Sequence, residues 1–404
     1  MINKKKLINL ISVLVSLIPL SLVISIAVSE LLIFSICLLF LFYSFYYSEF
    51  EIYKCFFFKI FLFVYLFLII NTFWSKDFFL SLKVTLPYIR YGILSLVVWY
   101  VYENNINFKN NLKIFFVPLI LFLVIDGYIQ FFFGKNIIGY STNSVRLSSF
   151  FFDEWILGSF IQKFLPLIFL IMFYKEQSSI RIYSNLIFIL LSLILIYLTG
   201  ERAAFFLGIF YLVLIFYFLI LLFFNKNLYL YFLLLSFFLI IIFNLPLKDR
   251  IFLFAENTLF IEKFINFYHE SYKYFHMTSL NIYKDHEFIG SGVKTFRILC
   301  KEYFYLDQIK SCSTHPHNFY FQVIAETGFF GLIILSLIFL IFTFRYLKFY
   351  LLPKKLVLNN LEQIFIISGV VVYLFPIATT GNFFNNFLSI IFFFNLGFVI
   401  KKKL

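Results

Sequence analysis

The residues best suited to chemistry lie at the start of a long apolar run, in the segment His-Pro-His-Asn at 315–318. Proline is tolerated in the first turn of a helix, and asparagine at this place can cap the helix amides. We therefore expect His317 at the outer boundary of the run, with its ring toward neighbouring helices. A neutral histidine there suits the removal of a proton from a sugar hydroxyl. The alternative, a boundary histidine that only satisfies a helix end, stays open.

All five histidines of the chain lie in or beside one polar stretch between apolar runs. Tolerance of histidine in the only watery segment accounts for part of this clustering. It does not account for two histidines at the mouth of an apolar run. The five are His269, His276, His286, His315 and His317.

A second candidate is Arg202 in the segment LTGERAAFF, which joins two apolar runs with almost no loop. Charged residues at such depth are costly and are candidates for function. An arginine can bind phosphate through its planar, forked guanidinium group. The alternative is an ion pair of Glu201 and Arg202 that only fixes a tight turn.

Three further ionisable residues, Arg90, Asp126 and Lys163, stand within apolar runs. They either line a polar cleft, or Asp126 and Lys163 pair for structural reasons.

In the segment YSTNSVRLSSFFFDEW, Arg146 precedes two carboxylates, but no set of residues at ligand spacing accompanies them, and no metal is predicted. Cys300 and Cys312 share the polar stretch, and in an oxidising compartment they either form a disulfide or stay as two thiols.

The composition indicates that these residues belong to a membrane protein. The chain has 404 residues, is 63% hydrophobic and only 13% charged, whereas soluble domains carry about 25% charged residues. Its mean hydropathy is +0.96. We predict an all-α, polytopic integral membrane protein of about twelve spans. The spans are predicted at 7–28, 30–48, 55–73, 79–101, 114–133, 155–174, 184–199, 203–224, 228–247, 317–343, 363–380 and 384–400.

The first span lacks a small-residue cleavage site and leads directly into another span, so we interpret it as a signal anchor. Lys and Arg in short loops stay on the cytoplasmic side, which places both termini there. The net charge of +13 is therefore explained by topology, and no nucleic-acid partner is expected.

Two loops are predicted on the other side, at 134–154 and 248–316. The long loop carries turn signals at Gly290–Gly292 and helix-like apolar spacing through Phe264, Tyr268, Phe275 and Leu280, which indicates a small helical subdomain. The predicted division is 1–247 for nine spans, 248–316 for this periplasmic subdomain and 317–404 for three spans.

The segment HPHNFYFQVIAETGFFG resembles the histidine motif of the O-antigen ligase and O-antigen polymerase superfamily. In that motif, histidine and a small polar residue precede two glycines at fixed spacing, here His317, Asn318, Gly328 and Gly331. The register selects His317 over His315. Similar segments follow in the family's order: RLSSFFFDEWILGSF, LTGERAAFF, LNIYKDHEFIGSGVKTFR and LFPIATTGNFFNNFLSI. The resemblance covers most of the chain from about residue 80.

The resemblance implies an inner-membrane glycosyltransferase that takes a glycan from undecaprenyl pyrophosphate on the periplasmic side and transfers it to a sugar hydroxyl. It implies neither a nucleotide nor a metal cofactor. His317 then corresponds to the activating base and Arg202 to a diphosphate-binding arginine, with Arg90, Arg146, His315 and Asn318 as further candidates for substrate binding. Many ligases carry another arginine early in the long loop, where this chain has Lys273, a point charge without the forked geometry.

The acceptor is not fixed by the sequence. A ligase transfers to the lipid A core, a polymerase extends the lipid-linked O-antigen, and protein O-oligosaccharyltransferases share the motif. A different class, a flippase or transporter of lipid-linked sugars, also accommodates charges within spans. Alternating access, however, places polar groups near the midplane between repeats rather than in one long outer loop.

Overall fold

A computed structural model describes residues 3–141, 146–173, 178–223 and 270–400 of the chain. Within these ranges the chain is helical and contains no β-strand, which confirms the all-α prediction. The helices in chain order are α1 (Lys4–Ser16), α2 (Ile18–Ile24), α3 (Ile26–Tyr46), α4 (Phe56–Phe73), α5 (Phe78–Thr85), α6 (Ile89–Asn104), α7 (Phe108–Phe133), α8 (Leu157–Phe173), α9 (Ser179–Leu198), α10 (Arg202–Phe223), α11 (Glu270–Asp285), α12 (Phe296–Leu299), α13 (Gln308–Ser311), α14 (Phe319–Leu347), α15 (Lys354–Asn359), α16 (Leu361–Tyr373) and α17 (Asn386–Gly397).

The membrane character of the chain is confirmed by the length and composition of its helices. Among the described residues, seven helical segments are long and apolar enough to cross a membrane, or eight if the bent pair α1 and α2 forms one span. The shorter apolar helices α8, α16 and α17 fall on further predicted spans. The span predicted at 228–247 lies outside the described residues, so the total of twelve stays a prediction.

Several predicted spans differ in detail from the helices. The first is bent by 41° between α1 and α2. The fourth is interrupted at Leu86–Tyr88 by a tight 3₁₀ turn that contains Pro87, which lacks an amide hydrogen. The predicted span at 363–380 ends earlier, at Tyr373, and the irregular segment 374–385 follows. Pro376 stands three residues beyond that helix, where proline commonly follows a helix end.

The core of the bundle forms around α8, which is buried on nearly every face. A helix that is hydrophobic all round belongs in the interior of a bundle. α8 packs against α9, α10 and α16, while α6 packs against α17. Gly369 of α16 gives α8 room at its proline, because a Cβ on Gly369 would lie 2.9 Å from the Cβ of Pro166.

The connections that carry the candidate residues meet at one end of the bundle, which we call the histidine end. It comprises residues 74–77, 134–141, 146–156, 199–201, 270–318 and 374–385. Long-range contacts join these connections: the amide of Lys76 donates to the carbonyl of Ser291 at 2.9 Å. Asn318 binds the 374–385 segment, and Glu201 binds the start of α8.

The described part of the long loop contains three helices, α11, α12 and α13, around a small apolar cluster of its own. Ile282, Phe296, Leu299 and Cys300 form this cluster together with Ala325 of α14. Gly290 and Gly292 both adopt positive φ, as the predicted turn requires. The predicted helix positions at Phe264 and Tyr268 lie outside the described residues, and the domain boundaries stay predictions.

Candidate active site

The helix that follows His317 is broken within its third turn, which the sequence did not predict. Gly328 has φ +67° and ψ −164°, so residues 319–327 form a short helix and 329–347 form the longer one. A Cβ at Gly328 would lie 2.5 Å from the carbonyl carbon and oxygen of Phe288. The first glycine of the motif is therefore required by both its backbone angle and its packing.

The loop at 287–292 satisfies the backbone groups that this break releases. Two of its amides donate to the carbonyls that end the short helix, and two of its carbonyls accept from the amides that begin the longer helix. These bonds are Ser291 to Ala325 at 3.1 Å, Gly292 to Glu326 at 2.9 Å, Phe329 to Glu287 at 2.7 Å and Phe330 to Phe288 at 3.3 Å. Because unpaired buried backbone groups are costly, the loop and the break stabilise each other.

The second glycine of the motif serves side-chain packing. A Cβ at Gly331 would lie 2.6 Å from the Cβ of Thr327, one turn earlier. Thr327 is buried there, and its hydroxyl donates to the carbonyl of Val323 at 2.7 Å. The histidine-to-glycine spacing thus encodes the geometry of one broken helix.

Asn318 is the cap of the short helix, as its type and place predicted. Its side-chain oxygen accepts from the amides of Tyr320 at 2.8 Å and Phe321 at 3.2 Å. Its side-chain nitrogen donates to the carbonyls of Pro376 at 2.7 Å and Ala378 at 3.1 Å. The side chain is buried, so these bonds tie the start of α14 to the 374–385 segment.

His317 adopts a left-handed backbone conformation, with φ +57°. Such angles are uncommon outside glycine and persist where the surroundings enforce them. Its carbonyl accepts from the amide of Thr380 at 2.8 Å, and its Nε2 lies 3.3 Å from the hydroxyl of Ser313. The ring centroid lies 4.1 Å from that of His315. A half-buried imidazole is therefore held in one place.

Two aromatic rings of α11 flank His317. The centroid of Phe275 lies 5.3 Å and that of Tyr272 lies 5.5 Å from the imidazole centroid. Burial lowers the pKa of His317 below its ordinary value of 6.5. The ring is thus neutral near pH 7 and able to accept a proton.

The two neighbouring histidines are also kept neutral. Burial, followed by the positive charge that His317 carries once it is protonated, lowers the pKa of His315 to about 3. The same two causes lower the pKa of His276 to about 4. The sequence singled out His315 and His317 by their position, but gave His276 no role, because only the fold brings α11 against α14.

Arg202 begins α10 and is half-buried at the histidine end. The carboxylate of its neighbour Glu201 accepts from the amide of Gly158 at 2.6 Å and from the amide of Ser159 at 3.1 Å. Glu201 therefore caps the start of α8, where a negative charge is favoured. Glu201 is the sequence neighbour of Arg202, but its carboxylate stabilises the start of α8, a different helix from the one that Arg202 begins.

Arg90 is engaged within the protein. Its guanidinium lies 2.7 Å from the carboxylate of Glu30 on α3 and donates to the carbonyl of Pro87 at 3.0 Å. It also donates to the hydroxyl of Tyr91 at 2.9 Å. The structure thus gives Arg90 a role in joining α3 to α6 and does not bring it to the histidine cluster.

Of the two alternatives for Asp126 and Lys163, the one in which they pair with each other is wrong. The carboxylate of Asp126 is buried and accepts from the amide of Ile137 at 2.8 Å and the hydroxyl of Ser149 at 2.5 Å. It therefore organises the loop after α7. Lys163 instead has an electrostatic interaction with Glu201.

The remaining predicted substrate-binding residues lie at the exposed surface of the histidine end. Arg146 packs its guanidinium 5.4 Å from the centroid of a Trp155 ring. Lys273 is exposed on α11, next to Tyr272, which borders His317. Arg146 and Lys273 are placed on different connections.

Cys300 and Cys312 are joined by a disulfide, with their Cα atoms 5.1 Å apart. The bridge ties the end of α12 to the segment that leads to His317. Within the described part of the chain, no three His, Cys, Asp or Glu side chains are arranged to hold a metal ion.

A family model described as O-antigen ligase matches residues 187–336, and this range includes His317, Asn318, Gly328 and Gly331. Over residues 187–336 the chain is similar to the O-antigen ligase family, which supports the resemblance seen in the sequence. The O-antigen ligase region includes Arg202, the disulfide and the histidine motif, whereas Arg90 precedes it. No curated protein is matched by this chain.

Members of the O-antigen ligase superfamily are glycosyltransferase-like enzymes of the membrane. The match supports a ligase- or polymerase-type membrane function in lipopolysaccharide biosynthesis. The partners implied for an O-antigen ligase family member are a lipid-linked glycan and an acceptor glycan.

Proposed function

We propose that the protein transfers a glycan from undecaprenyl pyrophosphate to a sugar hydroxyl of the lipid A core, in the manner of an O-antigen ligase. The observation that carries this proposal is His317, a neutral, half-buried imidazole held in a left-handed backbone at the end of the bundle where Arg202 begins α10. Strained and desolvated residues gather at active sites.

In the proposed reaction, the acceptor oxygen forms a bond to the anomeric carbon of the donor sugar, and the bond from that carbon to the diphosphate breaks. The hydroxyl proton passes to the neutral imidazole of His317. The leaving group is undecaprenyl pyrophosphate, whose developing negative charge Arg202 stabilises. These steps use groups of the protein and require neither a metal nor a nucleotide.

The membrane location of both residues supports a lipid-linked donor. The diphosphate of such a donor lies at the boundary of the bilayer, while its polyprenyl chain stays in the hydrocarbon. We therefore expect the cation, Arg202, and the base, His317, at the same end of the spans. We assign this end to the periplasmic face of the bacterial inner membrane, since the short-loop lysines and arginines favour the cytoplasm for the opposite end. Asn318 has a positioning role in this proposal, because its side chain is occupied by the cap and the 374–385 segment.

The proposal is tested with purified protein in nanodiscs and a glycan linked to undecaprenyl pyrophosphate as donor. Separate reactions contain lipid A core, a lipid-linked glycan or an acceptor protein, and products are identified by mass. Transfer to lipid A core is expected. Transfer only to the lipid-linked glycan identifies a polymerase, and transfer only to protein identifies an oligosaccharyltransferase. Movement of donor across vesicles without any transfer establishes the flippase alternative instead.

The role of His317 is tested in the same assay at equal membrane abundance. His317→Ala is expected to reduce turnover by about 10²- to 10⁴-fold, the usual contribution of a positioned general base. His315→Ala is expected to reduce it only in part, and His286→Ala, directly after the end of α11, serves as the matched control. Near-parental turnover of His317→Ala at normal abundance would show that the base assignment is wrong.

A further inference from the structure

Phe152 stands at a backbone position that normally requires glycine. Its φ is +51° and its ψ is −114°, and the amide of Glu154 donates to the carbonyl of Phe151 at 2.9 Å. These are the angles and the hydrogen bond of a type II′ turn with Phe152 at the first central place, where glycine prevails. Phe152 is nevertheless 45% exposed, so burial of its ring does not explain why a phenylalanine occupies this place.

Buried polar side chains hold the backbone just before this turn. The side-chain oxygen of Gln130 accepts from the amide of Ser149 at 2.8 Å. The carboxylate of Asp126 accepts from the hydroxyl of Ser149, and the side-chain nitrogen of Asn136 donates to its carbonyl at 3.1 Å. All three of these side chains are more than nine-tenths buried. Strained backbone persists where the surroundings enforce it, and it gathers at functional sites, so the exposed placement of Phe152 calls for a ligand.

Three aromatic rings, a carboxylate and a guanidinium lie around this turn. Tyr140 meets Phe152 edge to face, with ring centroids 5.5 Å apart, and its hydroxyl donates to the carboxylate of Asp153 at 2.5 Å. Trp155 is 46% exposed, and the guanidinium of Arg146 lies 5.4 Å from its ring centroid. We call these five residues the aromatic patch. A sugar ring matches it, because aromatic rings cover the apolar C–H face while charged groups accept from and donate to the hydroxyls at the rim.

The aromatic patch is connected to Arg202 through the start of α8. The chain passes from the patch directly into α8, where the amides of Gly158 and Ser159 donate to the carboxylate of Glu201. Glu201 immediately precedes Arg202, to which the proposed function assigns the diphosphate. The carboxylate of Asp153 would repel a phosphate and is costly in hydrocarbon. The patch is therefore matched to the hydroxyl-rich glycan of the donor rather than to its diphosphate or its lipid chain.

We propose that the aromatic patch binds a sugar ring of the lipid-linked donor, with Phe152 against its apolar face and Asp153 accepting from its hydroxyls. This inference rests on the proposed function, because the lipid-linked donor is taken from it. No bond forms or breaks at the patch, which sets the affinity for the glycan. The strained turn is then the consequence of presenting a ring where glycine would fold more readily.

Two substitutions of Phe152 separate binding from folding. Phe152→Ala and Phe152→Gly both remove the ring, but glycine adopts the positive φ without strain, so the glycine variant should unfold at the higher temperature in detergent. Donor affinity should fall equally in both variants. Affinity that recovers to the parental value in Phe152→Gly would show that the side chain serves only the turn, and would overturn the inference. Phe133→Ala, at the 78% exposed end of α7, is the matched control for loss of an exposed ring.

Binding is measured by native mass spectrometry with two probes, bare undecaprenyl pyrophosphate and the glycan-bearing donor extracted from native membranes. The parent should bind the donor more tightly than the bare lipid. Both Phe152 variants should weaken donor binding by about 10-fold, which is typical of a lost aromatic contact, and should leave binding of the bare lipid within about twofold. Asp153→Asn should also weaken binding of the donor alone. Equal weakening for both probes would show that the patch contacts lipid, and would overturn the inference.

The transfer assay gives an independent readout. Phe152→Ala should raise the KM for the donor and leave kcat and the KM for lipid A core near the parental values, because only a substrate contact is lost. A raised KM for lipid A core alone would assign the patch to the acceptor and overturn the inference. A parent that binds the donor through Phe152 but transfers no glycan would contradict the proposed function while supporting the glycan site.

Discussion

Gly290 and Gly328 cross backbone to backbone: a Cβ on Gly328 would lie 2.6 Å from the amide nitrogen of Gly290. Each of the two also has a positive φ angle, +85° and +67°. One glycine belongs to the loop that leads to the disulfide, and the other breaks the helix that begins after His317. The crossing therefore joins the outer loop to the helix of the candidate base.

We predict that Gly328→Ala destabilises the protein more than Gly134→Ala. Both glycines have similar φ angles, +67° and +72°, but a Cβ at Gly134 meets nothing within 4 Å. Gly134→Ala should cost the backbone term alone, about 1–2 kcal/mol. Gly328→Ala adds overpacking of about 1–3 kcal/mol. Thermal unfolding in detergent measures both, and equal shifts would show that the crossing is not tight.

Replacement of Arg202 by lysine tests the phosphate assignment. Lysine keeps the charge and loses the planar fork, so donor binding should weaken by about 10- to 100-fold, the value of one lost charged hydrogen bond. Native mass spectrometry with undecaprenyl pyrophosphate measures the binding. Arg181→Lys, at the opposite end of α9, is the matched control. Unchanged binding and turnover in Arg202→Lys would leave Arg202 a structural role only.

The disulfide should contribute to stability independently of the membrane spans. In the native protein, mass spectrometry without reduction is expected to find Cys300 and Cys312 in one linked peptide pair. Dithiothreitol should lower the unfolding temperature of the parent but not that of the double variant Cys300→Ser/Cys312→Ser. The bridge is expected to contribute about 2–4 kcal/mol. Two free thiols in protein recovered from the membrane would contradict the pairing.

The pH dependence of transfer should follow the neutral form of His317. Burial lowers its pKa below 6.5, so turnover is expected to be flat from pH 7 to 8. Turnover should fall only as the pH drops through the lowered pKa, where the imidazole becomes protonated. A profile that instead rises steadily between pH 7 and 8 would indicate a base other than His317.

Stability should change over the same acidic range. The unfolded chain binds protons at its histidines below pH 6.5, whereas burial lowers the pKa of His276 to about 4 and that of His315 to about 3 in the folded protein. Their contribution to stability is therefore constant above pH 6.5 and is lost progressively as the pH falls. The unfolding temperature of the parent should therefore fall relative to that of His276→Phe as the pH is lowered from 7 to 5.

Topology is tested with reporter fusions. A reporter after Tyr283 should lie on the periplasmic side and one after Leu404 on the cytoplasmic side, because short-loop lysines and arginines stay in the cytoplasm. Activity of the two fusions on the same side of the membrane would overturn the orientation proposed for the active site.

The sequence by itself determined the membrane class and the location of the candidate site. Apolar runs of spanning length are a local property, and so are the cap at Asn318 and the spacing of His317 to two glycines. Such features depend on residues a few positions apart, which a sequence displays directly. They were sufficient to propose His317 as the candidate base and to find the resemblance to the O-antigen ligase family.

Only the tertiary structure decided the partners of the buried polar residues. Glu30 pairs with Arg90, Glu201 caps α8, and Asp126 accepts a hydrogen bond from the loop that follows α7. The sequence did not reveal the helix break at Gly328, because the apolar run continues through it. The backbone groups that bond to the free amides and carbonyls at the break belong to residues 287–292, which precede the histidine in the chain. A buried polar group must find a partner wherever the chain brings one near, and that choice depends on packing between distant segments rather than on local pattern.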